Sequence, residues 1–175
     1  MSEGQSSGGR PKIRDILTRE ELEGLAHDAG MSDADLAKML GPLTGLAGGA
    51  LQMAMSAGDA FWSGRGLKTV KSARLELAAS YPVAVRSLVF ALTSLEREIT
   101  AAFDTAAGAY IETDLPSDVF SRGGTLQFDV IERGAATVEL VGASEIKGQI
   151  FDWGKGKRAL NDVFEKTGAF ARRLG

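Results

Sequence analysis

Lys155, Lys157 and Arg158, interleaved with Gly154 and Gly156 at the head of a C-terminal helical pattern, come nearest to chemistry by type and spacing. Cations at a helix start oppose the macrodipole and stand where backbone N–H groups lack intrahelical partners. Glycines there admit a close main-chain approach. Together these are the ingredients of a site for a phosphate, a carboxylate or a lipid head group. The same run also reads as a basic turn partnered by Asp152 and Asp162, and both readings stand at this level. Trp153 either pins the junction into the helix, packing on residues such as Phe164, or lines a ligand groove.

A second candidate works by contact rather than by charge. Residues 41–58 carry no charged side chain and are dominated by Gly, Ala, Leu and Met, with Phe61 and Trp62 following. Gly45, Gly48 and Gly49 would let another backbone come close, and Leu46, Leu51, Met53 and Met55 offer a soft, adaptable surface. Pro42, the central Gln52 and the abundance of small side chains argue against a membrane-spanning helix. Three uses stay open: covering an open face of a C-terminal sheet, self-association or docking on a protein partner, and peripheral membrane contact.

Catalytic chemistry is hard to assemble from this chain. Zero Cys removes disulfides, thiolate metal sites and a cysteine nucleophile together, and agrees with a reducing, cytoplasmic setting. His27 is alone, with Asp28 beside it and no second His to share a metal. Glu112, Asp114, Asp129, Glu139 and Glu145 alternate onto the outward face of half-buried strands, where no acid/base pair can be singled out. Gly-x-Ser-x-Gly, Walker-loop and His-Glu-x-x-His spacings are missing from the sequence, so the reading assigns no catalytic residue, metal or cofactor.

The elements that must position these residues are legible from periodicity. Residues 1–11 are Ser/Gly-rich and read as a disordered leader. Residues 12–62 read as a helical segment, an acidic hairpin followed by the Gly-rich helix; Thr18 with Glu21 has capping-box spacing. Its second short helix opens with Asp33 and Asp35, which would repel phosphates and argue against nucleic acid. From residue 67 the pattern changes. Ala73, Leu75, Leu77 and Ala79 alternate with Arg74 and Glu76, then Pro82 opens a helix striped by Val85, Leu88, Val89, Leu92 and Leu95. Ile99, Ala101 and Phe103 start the next strand, Asp104 to Gly108 turns it, and Ala109, Ile111, Thr113 and Leu115 return. Leu126, Phe128 and Val130, then Val138, Leu140 and Ile146, supply two more strands, and Leu160, Val163, Phe164, Thr167 and Phe170 a closing helix. The expected fold class is α+β: an antiparallel sheet in β-α-β-β-β-β-α order, gripped on one face by two helices, across residues 67–175.

Two runs carry a family resemblance. Val119-Phe120-Ser121-Arg122-Gly123 before an alternating strand, and Phe151-Asp152-Trp153-Gly154-Lys155 before a helix bearing Leu160 and Phe164, resemble a poorly characterised bacterial β-α-β4-α domain. That domain is similar in shape to the helix-grip modules of outer-membrane assembly lipoproteins and, more distantly, to small START-like folds. The resemblance covers about residues 67–172 and implies a fold, with no catalytic set to carry over. Arg122-Gly123-Gly124 departs from the aromatic-Gly-Glu turn often found in the look-alikes. The expected role is therefore a non-catalytic binding or interaction module, holding a small hydrophobic or anionic ligand between sheet and helices. The alternative is an assembly or peripheral membrane role, as a homo-oligomer or with a protein partner, through residues 41–62.

Overall fold

The computed structural model describes residues 10–18, 20–21, 24, 32, 34, 37, 41, 71–117, 123–146 and 154–175. A four-residue helix, α1 (Ile13–Ile16), precedes strand β1 (Lys71–Leu77) and helix α2 (Tyr81–Ser94). Strands β2 (Ile99–Asp104), β3 (Gly108–Leu115), β4 (Gly124–Gly134) and β5 (Thr137–Ile146) follow, and α3 (Lys155–Leu174) closes the chain. The strands form one antiparallel sheet in the order β1-β5-β4-β3-β2. Both helices lie on one face of it, as the α+β reading expects.

The connectivity has a simple logic. β2 to β5 form a meander in which each strand pairs with the next, and β1 pairs with β5, the last of them. Alternating strand directions make β1 and β2 parallel at opposite edges, so α2 is a crossover helix that spans the sheet. Its sequence suits that task. Pro82 sits in the first turn, and Val85, Leu88, Val89 and Leu92 are all 0% exposed on its inner side. The helix stops at Leu95, where the Glu96 N–H donates to Thr93 O and the Arg97 N–H to Leu92 O, with Glu96 in the left-handed region at φ 54.

Register decides which side chains enter the core. Leu75 faces Leu140 and Leu77 faces Val138 across β1 and β5; Gly142 then stands opposite Phe128, and Phe128 opposite Ile111. Ala109, Ile111, Thr113 and Leu115, Leu126, Phe128 and Val130, and Val138, Leu140 and Ile146 are all buried beneath the helices. One expected alternation is corrected. A register shift between Ile99 and Ala101 breaks the period of β2, so Ile99 and Ala102 turn inward while Ala101 and Phe103 share the other face.

Segment 10–21 is part of the same folded unit. Ile13 and Ile16 belong to the core cluster, against α2 and β2. Arg10 holds the segment down: its guanidinium donates to Glu132 at 2.9 Å and to the carbonyls of Thr105 and Ala106, and lies 5.3 Å from the Tyr81 ring centroid. The Ile13 N–H donates to Asp104 Oδ1 at 2.9 Å. Thr18 and Glu21 make the reciprocal capping box, and Arg86 bonds both Ile16 O and Glu21. Arg10, which composition places in the 1–11 leader, is thus anchored to the folded unit.

Candidate functional site

The basic run stands at the start of α3. Gly154 caps the helix at φ 78, a left-handed conformation suited to glycine, and no side chain caps the first turn. The Lys155 ammonium donates to Pro116 O at 2.6 Å, tying the helix start to the end of β3. Gly156 is buried, whereas Lys157 and Arg158 are exposed. Trp153 lies outside the described residues, as do His27, Arg122, Leu46, Leu51, Met53, Met55, Phe61 and Trp62.

Between sheet and helices the described side chains meet directly. A Cβ on Gly142 would stand 2.9 Å from both Leu160 and Phe164 and 3.2 Å from Phe128, so the absence of a side chain there is what lets α3 settle on β5. The Phe128 and Phe164 rings meet at 6.2 Å, edge to face.

The opposite face of the sheet has a different character. Phe103 on β2 and Tyr110 on β3 are register partners whose rings stack at 4.7 Å and 23°. Beside them Glu112 collects three hydrogen bonds from three strands: from Tyr110 Oη at 2.9 Å, Gln127 Nε2 at 3.2 Å and Thr100 Oγ1 at 3.1 Å. Gln127 is 5% exposed although it faces away from the helices, so that carboxylate is fixed in place. Asp129 stands opposite Tyr110 on β4, and Glu145 projects from β5 on the same side.

Electrostatics tie these groups together. Burial pushes the Tyr110 phenol far above its usual range, and the charge of Glu112, its hydrogen bond to Glu112, and then Asp129 and Glu145 push it further. Carboxylates of three strands therefore act on the same phenol, Glu112 through a direct hydrogen bond. Two described cations of the sheet have another partner. Arg74 and Arg133 both engage Glu139, whose carboxyl is held below the usual range first by the hydrogen bond from Arg133. Among the described residues no group of three or more His, Cys, Asp or Glu side chains is arranged to hold a metal ion.

No family model, curated protein or solved structure matches this chain. The reading of the site therefore rests on its own geometry. No helix among the described residues is long and apolar enough to cross a membrane. What the face can do is attract and orient a cation. Its carboxylates are acceptors only, and the paired rings offer apolar surface and π faces beside them. Sequence alternation placed Glu112, Asp129 and Glu145 on the outward face, but their convergence depends on register. The available signal was the alternation of Tyr110 with Glu112 and of Gln127 with Asp129 in neighbouring strands.

The second tyrosine is also displaced from ordinary behaviour. Tyr81 is 1% exposed, and its hydroxyl is buried without a hydrogen-bond partner. Burial first, then Asp104 and Glu132, push its pKa up to about 12 against the opposing pull of Arg10. The chain has two tyrosines, so the alkaline titration of the protein reports on both sites alone. A tyrosine with a raised folded-state pKa stabilises the fold fully below its unfolded value of about 10 and loses that contribution as pH rises through the folded value. Absorbance at the tyrosinate band should therefore stay flat through pH 10 in native protein, and stability should fall from there towards pH 12 as Tyr81 ionises. In denaturant both phenols should titrate near the ordinary value of about 10. A native titration at the ordinary value would contradict the burial of both hydroxyls.

Proposed function

We propose that this chain is a binding module whose working surface is the sheet face turned away from α2 and α3, and that it docks a polypeptide segment rich in Lys or Arg. The observation that carries the reading is the Glu112 carboxylate, held by Tyr110, Gln127 and Thr100 beside the stacked Phe103 and Tyr110 rings, with Asp129 and Glu145 adding negative charge on the same face. Charge complementarity selects the partner: the donors holding Glu112, a tyrosine, a glutamine and a threonine, are all uncharged, so a negative face is offered to an incoming ammonium or guanidinium. The aromatic pair adds contact area and cation–π attraction. A binding role also suits the state of Tyr110. An acid/base tyrosine needs a pKa lowered towards the working pH, and here the proton is held by Glu112 and the pKa is raised.

The full chain, isotopically labelled, should be titrated with an Arg-rich octapeptide, with a Glu-rich peptide of equal length and with inorganic phosphate. The Arg-rich peptide should perturb resonances of Phe103, Tyr110, Glu112, Gln127, Asp129 and Glu145, and the affinity should fall steeply with added salt. Asp129→Lys together with Glu145→Lys should weaken that binding at least tenfold. Failure of the Arg-rich peptide to bind, or perturbations confined to the Lys155 to Arg158 turn by phosphate, would overturn the proposal in favour of an anion-binding role.

A further inference from the structure

The two edges of the sheet are treated differently. The β2 edge is broken by the register shift between Ile99 and Ala101, and α1 packs beside it. Bulges and covering elements are the usual protection of a strand edge. The β1 edge pairs with β5 without interruption from Lys71 to Leu77, and among the described residues no strand lies on its other side. Within the chain its outward charges are poorly matched. Glu76 stands directly opposite Glu139, a like-charge pair, while Glu139 draws both Arg133 and the largely exposed Arg74. Glu76 makes no ion pair among the described residues.

We infer that the β1 edge pairs antiparallel with β1 of a second copy of this chain, about a two-fold axis at Leu75. That register sets Arg74 opposite the second copy's Glu76 and Glu76 opposite its Arg74. It supplies Glu76 with the cation missing inside the chain, and does so twice by symmetry. On the helix side, Leu75 meets the second copy's Leu75 and Ala73 meets its Leu77; Ala73 and Leu75 are only partly buried within one chain. Neighbouring registers lose the charge match: an axis at Arg74 would bring the two arginines together. The result is a continuous ten-stranded sheet. This pairing is independent of the proposed cation-binding face, since Tyr110, Glu112 and Asp129 lie on β3 and β4, away from the β1 edge.

The test uses sedimentation of the full chain from micromolar to millimolar concentration. A monomer–dimer equilibrium is expected for the native chain. Arg74→Glu should shift it at least tenfold towards monomer, and Arg74→Glu combined with Glu76→Arg should restore it, because the swap recreates both cross-pairs. The register has its own probe. The chain has zero Cys, so Leu75→Cys introduces a single thiol on the two-fold axis. Directly opposite residues of an antiparallel pair have Cβ atoms about 4.5–5.5 Å apart, close enough for mild oxidation to give a covalent dimer. A chain that stays monomeric throughout, or a dimer indifferent to Arg74→Glu, would overturn the inference.

Discussion

Gly108→Ala is expected to destabilise the chain by about 3 kcal/mol, at the upper end of overpacking costs, with an unfolding midpoint shifted to lower urea and an unchanged slope. An added Cβ would lie 1.7 Å from Val130 O and 2.9 Å from Val130 C. Both are main-chain atoms of β4, so relief requires β3 and β4 to part rather than a side chain to turn aside. The ring of Tyr81, 3.3 Å away, closes the other direction. Separation would reach the turn that Gly108 terminates. The Gly108 N–H donates to Thr105 Oγ1 at 3.0 Å, the Thr105 N–H donates to Gly108 O at 2.9 Å, and Arg10 holds the carbonyls of Thr105 and Ala106. Gly134→Ala is the matched control. It ends the neighbouring strand, just beyond Ile131, the register partner of Gly108, with nothing within 4 Å of its would-be Cβ. That substitution should be close to neutral, because it adds no contact and trims the freedom of the unfolded chain. Equal effects at the two positions would show that β3 and β4 do not approach as closely as described.

Phe128→Ala should cost about 3–5 kcal/mol, the range for removing a large aromatic side chain from a core. Phe128 is 0% exposed at the centre of the middle strand, and its ring meets Phe164 of α3 edge to face. Its partner across the strand pair is Gly142, whose missing side chain leaves the space that Phe128, Leu160 and Phe164 fill together. The coupling can be read in a double-mutant cycle. Gly142→Ala alone should destabilise by about 1–3 kcal/mol through crowding. Combined with Phe128→Ala it should cost less than the sum of the two, because the cavity accommodates the new methyl group. Additive losses would mean that the three rings and chains do not share one packed space.

These two expectations separate what a linear reading can see from what it cannot. That Phe128 is a core residue follows from its alternation with Leu126 and Val130. That its partner must be Gly142 does not, because the pairing depends on how β4 and β5 align. Gly108 likewise looks like an ordinary turn glycine in the sequence. Only the approach of β4 makes it indispensable.

The candidate site divides along the same line. Alternation alone put Glu112, Asp129 and Glu145 on the outward side of their strands. Tyr110 became their common neighbour only through the register of β3, β4 and β5. Phe103 reached that face because the register shift in β2 reversed the expected alternation. The basic run from Lys155 to Arg158 was legible as a helix start, whereas the bond from Lys155 to Pro116 O, which ties that start to the end of β3, is a relation across the chain.

By itself, then, the sequence determined the class, the order of elements and the inner face of most of them. Those features arise from short-range periodicity, which each segment expresses alone through the burial of its apolar side. Tertiary structure decided the strand order, the docking of segment 10–21 through Arg10, the need for glycine at positions 108 and 142, and the gathering of three carboxylates around one tyrosine. Each of these is a relation between residues distant in the chain, and it comes into being only when packing sets the alignment of one element against another.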